Sequence, residues 1–507
     1  DYFIGSYSGH GIFINNTRSY FIIENVWVND TSGSGFFLQN VTNAVLTNDI
    51  ANGNQIGINL QSSINNILIN DTARNNGIAG LRLYNSSNYN YLTNNTATGN
   101  NIGFSCDTSN NNNILINNTA KENFYGFYLY ESNNNTLTNN TAKENIQGFT
   151  LDYLSNNNSL INNFAENTNF NFRLSSSSYN ILLDNLATRT KRGFQLFEFN
   201  NNTFVNNNAS DCEYGFYQEN SNFNNLTSNT AINNSIDGFY LTGSNYNIMS
   251  NNTVISNDRG FELQNSDSNN LISNIVSNNS IGFFVMIGTY NIFTNNSAFK
   301  NEVGFFLSGP SDLGNTLINN SANNNTIDGF WISSAHSVTL TNNSANTNLR
   351  NGFYLYYSSN CSLIDNIAIN NSNYGFNLNS STLFAPLIGS VSAGFPNNVA
   401  INNTIAEFNI DGTLYWTTPI IVNLTSPSTT VTETTTLPPT TITESIISTS
   451  STIVSVTETE TSLSVTTSIS IIISQILDTV TKTSEGFGVA LFVLSLLSLL
   501  IIRRKRK

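Results

Sequence analysis

The chain has 507 residues, a net charge of −14 and only 10% charged residues. Setting aside the five basic residues 503–507 leaves −19, which excludes nucleic acid as a partner, because phosphate contacts need clustered Lys and Arg. Asparagine dominates, Lys, Glu and Gln are scarce, and the 34 Phe, 21 Tyr and 31 Gly are poor material for helices and good material for short strands joined by tight turns.

The chain opens on "DYFIGSYSGHGIF", which already reads as the middle of a repeat and not as a signal peptide. A processed form, or a further segment upstream, is therefore expected. From here to Gly375 a glycine followed by an apolar residue recurs. After Gly35 the step is almost always 22 or 23 residues, with Asn171 standing where one glycine is expected. Such a period is the mark of a repeat architecture.

One unit, from Gly126 to Gly148, shows the plan. Phe127 and Leu129 alternate with Tyr128 and Tyr130, which is strand period. "SNNN" makes a turn, Leu137 marks a second strand, Asn139-Asn140 a second turn, Ala142 a third strand and Asn145 a third turn. Three strands and three turns leave no room for a helix. The predicted fold is all-β: a parallel β-helix of about 16 coils, in which Phe stacks on Phe, Leu on Leu and Asn on Asn. At ~4.8 Å per coil the rod is roughly 75 Å long. Leucine-rich repeats share this period, but their L-x-x-L-x-L-x-x-N signature differs from L-x-N-N-x-A-x-x-N-x-x-G-F-x-L.

The pattern decays after residue 380, and "INNTIAEFNIDGTLYW" (401–416) reads as an irregular cap within an ectodomain of residues 1–425. Residues 426–484 turn abruptly to Thr, Ser, Val and Ile around "TTTLPPTT", a low-complexity stalk expected to be disordered. "GFGVALFVLSLLSLLII", Gly486 to Ile502, is an uncharged run at the short limit for crossing a bilayer, and a single transmembrane helix is expected over 485–502. The basic tail 503–507 would stay cytoplasmic and leave the rod outside. The expected partners are thus the membrane, through a single-pass anchor, and glycans or other envelope proteins.

The coil "NNTAKENIQGFTL" resembles the repeats of the NosD-like family, also grouped as carbohydrate-binding and sugar-hydrolysis (CASH) β-helices, over residues 1–415, and the resemblance implies a right-handed, single-stranded parallel β-helix. The C-terminus resembles archaeal surface-protein tails, in which a Thr-rich region precedes a hydrophobic segment and a basic end; Glu485 stands where the sorted members of that group carry Pro. The resemblance implies a surface β-helix. It also implies two chemistries, copper-site assembly and action on polysaccharides.

Copper delivery wants clustered His, Met or Cys. His10, His336, Met249, Met286, Cys106, Cys212 and Cys361 are scattered, and Cys106 replaces a core leucine, so no metal site and no cofactor is expected. Polysaccharide cleavage wants a compact carboxylate pair or a base beside acidic calcium ligands. The positions two and four after each glycine supply Asp107, Asp152, Arg173, Glu219 and Glu262, of which Asp152 and Arg173 read as a structural ion pair between adjacent coils. No catalytic residue is assigned. The same positions carry aromatics, among them Tyr128, Tyr130, Tyr217, Tyr240, Trp331, Tyr354 and Tyr356. Two readings stay open for them: a self-packing ladder, or an exposed stripe for sugars or proteins. Sequons abound. Asn117 and Asn139 are expected to point into the turn ladder, whereas Asn134 and Asn324 are the better candidates for glycosylation.

The main expectation is a membrane-anchored structural or adhesive rod on the cell surface, a glycoprotein. The alternative is a surface carbohydrate-binding module or polysaccharide-active enzyme.

Overall fold

The structure is a computed structural model that describes residues 2–5, 8–198, 200–309, 314–383 and 398–414, all within one compact unit, Asp1–Thr436. The stalk, the transmembrane helix and the basic tail expected at 426–507 lie outside the described residues. The described residues form a right-handed parallel β-helix of about 16 coils with no helix among them.

Each coil carries three strands. In the unit around Gly126 they are Tyr125–Tyr130, Thr136–Thr138 and Thr141–Lys143. Each pairs in parallel, and in register, with its equivalent one coil on: Phe127 with Phe149, Leu137 with Leu160, Ala142 with Ala165. The three ladders are named here the Gly-Phe, Leu and Ala faces. Every partner lies one repeat away in sequence, so the fold is a stack of near-identical local contacts.

The core is built of columns. Phe127 and Phe149 stack with centroids 4.7 Å apart and planes 3° from parallel, and the column continues through Phe172, Phe194, Phe216 and beyond with the same geometry. Leu129 and Leu151 form a second column, Leu137 and Leu160 a third, Ala142 and Ala165 a fourth, all essentially inaccessible to water. The Ala face is small because it meets the Gly-Phe strand at a narrow corner. A Cβ on Gly126 would lie 2.6 Å from the Gly148 carbonyl oxygen and 3.3 Å from the Ala142 methyl, so the repeated glycine is a steric demand. Asn171 is tolerated because the corner asparagine of its coil is replaced by Thr168, whose hydroxyl donates to Asn171 Oδ1 at 2.7 Å. Asn171 Nδ2 in turn donates to the Thr188 carbonyl at 3.0 Å.

The Asn-Asn pairs divide two tasks. Asn139 takes φ of 56°, the left-handed turn conformation that asparagine tolerates, and its side chain is exposed. Asn140 is buried in a ladder: its Oδ1 accepts from the backbone N–H of Asn118 at 2.9 Å and from Asn118 Nδ2 at 3.0 Å, while its own Nδ2 donates to the Leu115 carbonyl at 2.9 Å. The buried backbone of each turn is satisfied by a side chain from the next coil. The expectation for Asn117 and Asn139 is therefore corrected. Both face solvent, and it is Asn118 and Asn140 that point inward. Asn134 and Asn324, with φ of 57° and 55°, are exposed in the same way.

Candidate functional site

The Gly-Phe face presents its outer side chains in three columns. The strand bends at each glycine, and the ladder skips that residue, pairing Tyr125 with Gln147 and then Phe127 with Phe149. The bend puts the residue before the glycine beside the residue two after it. Tyr125 and Tyr128 have ring centroids 4.7 Å apart, Tyr214 and Tyr217 5.3 Å. The outer columns thus stand one before, two after and four after the glycine. Strand alternation alone reveals the last two and misses the first.

The aromatics on this face pack mainly against each other. Phe306 stacks on Trp331 at 4.4 Å and on Phe284 at 5.2 Å, Trp331 lies 6.0 Å from Tyr354, and Tyr354 lies 6.0 Å from Tyr356. Tyr217 lies 5.1 Å from Tyr240, and Tyr128 6.2 Å from Tyr130. Rings stacked at the coil spacing give their faces to the next coil and their edges to water, and all of these are half-buried or buried. Of the two readings, the self-packing ladder describes most of the stripe. More open rings sit elsewhere, at the corner before the Leu face, where Tyr179, Tyr246 and Tyr290 are 55–62% exposed with left-handed φ of 55–59°. Sequence reasoning passed over that corner because asparagine usually fills it.

The charged groups are arranged differently from the expectation. Asp152 and Arg173 make no ion pair: Arg173 aligns with Thr150 and Asp152 with Ser175, and Asp152 Oδ1 accepts from the backbone N–H of Tyr153 at 3.0 Å. One residue stands four after its glycine and the other two after, which separates their columns. Asp107 is taken by Arg82 at 2.6 Å. A compact acid pair does exist, between Asp237 and Glu262. Asp237 precedes its glycine, the column that alternation misses. Burial, and then the neighbouring Glu262 charge, push Asp237 up to about 8. Neither Asp237 oxygen has a hydrogen-bond donor, so burial and the neighbouring negative charge favour the protonated acid. Arg259 pairs with Glu262, and as the ladder neighbour of Asp237 its charge offsets part of that rise. Glycoside hydrolysis needs two carboxyl groups ~5 Å or more apart, flanking a sugar. Only 1% of Asp237 and 3% of Glu262 is exposed, so neither can flank a sugar.

Three coils nearer the N-terminus the same face holds a depression of about 390 Å³, lined by Tyr125, Gln147, Phe170, Arg173, Arg192, Gln195, Phe197 and Glu219. Arg192 lies over the Tyr217 ring at 3.7 Å. Its Nε and the Oε1 of Gln195 are buried and have no hydrogen-bond partner. The Tyr217 hydroxyl donates to Glu219 at 3.2 Å.

The cysteines are free and buried, and burial pushes each thiol up to about 12, which leaves them inert. His10 Nδ1 accepts from the Ser34 N–H at 2.9 Å, and His336, many coils from His10, bonds Ser359 on the adjacent coil. Among the described residues no three His, Cys, Asp or Glu side chains come together, and none of the described residues forms a helix long and apolar enough to cross a membrane.

Two family profiles match. One, described as the right handed beta helix region, covers residues 3–142, 125–254 and 311–405; the other, described as periplasmic copper-binding protein (NosD), covers residues 198–328. Copper ligation would need donors that converge. Over 198–328 there is no histidine, Cys212 is buried at a corner, Met249 is buried in the leucine column, and Met286 stands on the outer Gly-Phe face. The donors occupy three separate columns and do not fit a copper centre. No curated protein matches the chain. Solved structures with a similar trace include a mutant of the periplasmic alginate epimerase AlgG (15% identity, TM-score 0.35, covering 60% of this chain and 82% of that one). They also include the Azotobacter vinelandii mannuronan C-5 epimerase AlgE4 A-module (10%, 0.30, 77% and 90%) and pectate lyase Pel9A (12%, 0.24, 58% and 67%). Likenesses this distant carry no functional argument.

Proposed function

Starting from a chain that belongs to the right-handed β-helix family, we propose that it serves as a structural or adhesive rod on a cell surface. Residues 1–425 are the ectodomain, 426–484 a stalk, 485–502 a single-pass anchor and 503–507 a cytoplasmic tail. The rod reading rests on one observation, the coil-to-coil registry of Phe, Leu, Ala and Asn from Phe36 to Phe376. A stack bonded at every turn resists bending and holds a surface away from its base. The anchor is supported by the uncharged run 486–502 and the five basic residues after it. Exposed sequons at Asn134 and Asn324 suit N-linked glycans, and envelope proteins or glycans are the partners. The test is alkaline carbonate extraction of membranes that carry the full chain, with protease added from outside. The chain should remain in the membrane pellet and lose its ectodomain; release into the wash, or full protection, refutes the reading. Intact mass with and without glycosidase tests the sequons.

A second reading, a carbohydrate-binding or polysaccharide-active protein, is favoured by the depression around Arg173 and Arg192.

A further inference from the structure

The rings at the corner before the Leu face come with a second apolar residue. Tyr179 precedes Ile181 by two positions, as Tyr246 precedes Ile248 and Tyr290 precedes Ile292, so the members of each pair point outward together. The three tyrosines are 55–62% exposed and the three isoleucines 40–46%. Phe223, 54% exposed, stacks on Tyr246 with centroids 5.1 Å apart. All four aromatics hold left-handed φ of 55–59°, which strains a bulky side chain and suits asparagine. In the coils between them the corner is Asn201 or Ser268. The isolated rod thus holds large rings in water at a conformational cost. The sheet beside them is free of charge. From Ile67–Ile69 to Ser359–Ile364, no Leu-face strand among the described residues carries Asp, Glu, Lys or Arg.

We propose that this stripe, from Tyr179 to Ile292, is where a second copy of the chain docks, side by side and antiparallel. Charge selects the partner. Two copies of a chain of net charge −14 repel each other except across a face that carries no charge, and pairing there should strengthen as salt rises. The area fits as well. The exposed shares of the four aromatics and three isoleucines come to roughly 700 Å², near the ~800 Å² that one partner contributes to a standard interface. Orientation follows from symmetry. In a two-fold pair with the Leu faces together, only antiparallel rods bring the two ring-bearing corners to the same edge. The ring spacing then sets the register. With Phe223 on the two-fold axis, Tyr246 of each copy meets Asn201 of the other, Tyr179 meets Ser268 and Tyr290 meets Asn157, so each tyrosine enters a corner that lacks a ring. The proposal deepens the adhesive reading, on which its biological setting rests, and names the partner: antiparallel copies have their C-terminal coils at opposite ends, as two facing surfaces would hold them.

The experiment is sedimentation velocity of the full chain in mild detergent, over a concentration series at low and high salt. Wild type should pass from monomer to dimer, with the dimer favoured at high salt. The triple substitution Tyr179→Asn, Tyr246→Asn and Tyr290→Asn puts the usual corner residue in place of each ring. Its circular dichroism should stay the same while its dimer weakens by about a hundredfold or more. Phe223→Cys should close a disulfide between two copies under diamide, since the native cysteines are buried, and the same change in the triple variant should not. A wild type that stays monomeric overturns the proposal and gives the face to a partner of another kind; a dimer that the triple variant keeps also overturns it. A dimer lost in the triple variant but never joined by the disulfide overturns the antiparallel register. Pairing in detergent is read independently of membrane retention. A chain that pairs but washes out of membranes removes the anchored reading alone, and one that stays in the membrane without pairing removes only this proposal.

Discussion

Asp49→Asn should stabilise the protein, by an amount that depends on pH. Asp49 and Asp71 stand in the buried corner ladder that asparagine fills everywhere further along. The Asp49 Oδ1 accepts from the Val26 N–H at 2.8 Å and the Asp71 Oδ1 from the Asp49 N–H at 2.9 Å, as asparagine oxygens do. The second oxygen of each is buried without a partner. In asparagine that position is an amide nitrogen, which at Asn95 donates to the Leu68 carbonyl at 3.1 Å. A carboxylate oxygen there can donate nothing until it is protonated. Burial therefore pushes Asp49 up from 3.8 to about 6, and Asp71 well above the usual carboxylate range. A raised acid favours the folded state fully below its unfolded value near 4, and that contribution is lost as pH rises through about 6. A shift of that size is worth about 3 kcal/mol. Asp49→Asn supplies the missing donor permanently, so at pH 8 it should gain about 3 kcal/mol, and below pH ~4 close to nothing. A long solenoid does not unfold in two states, so the assay must be local: hydrogen exchange of peptides spanning residues 20–75, compared between variant and wild type at each pH. The expected slowing at pH 8 is about a hundredfold. Equal protection at pH 8, or the same gain at pH 4 as at pH 8, refutes the reasoning.

Two further substitutions test the columns. Asn140→Ala removes the acceptor of two Asn118 donors and the donor to the Leu115 carbonyl, and should cost about 3–6 kcal/mol, read as faster exchange in residues 110–165. Gln218 occupies the inner column between Leu196 and Leu241 with both amide atoms buried and unpartnered; Gln218→Leu should stabilise the neighbouring coils by about 2 kcal/mol, read as slower hydrogen exchange in residues 190–245, and faster exchange there would show that the amide is satisfied in the native protein.

The solenoid was legible because each coil packs chiefly on copies of itself. A contact between Phe127 and Phe149 joins residues 22 apart that occupy the same place in the repeat, so the period in the sequence is already the contact map. The column that holds Cys106, Leu129 and Leu151 and the column that holds Ala142 and Ala165 follow from the same fact. Which asparagine of a pair turns inward does not follow, since Asn139 and Asn140 are chemically identical and only the left-handed φ of the first sends its side chain outward. The Asp237–Glu262 pair stayed hidden for a related reason, because the bend at glycine breaks the alternation from which outward residues are counted.

The sequence by itself determined the architecture: strand period, turn spacing and a glycine every 22 or 23 residues admit one stacking, because a single coil can neither bury its apolar side nor satisfy its backbone. Only the tertiary structure decided the chemistry of the outer face. There the side chains do not repeat, and their meaning depends on which neighbours the coil spacing brings against them. It paired Arg82, Arg259 and Arg350 with acids and gave Arg173 and Arg192 none. A difference of two positions within the strand, between Asp152 and Arg173, decided that they do not pair.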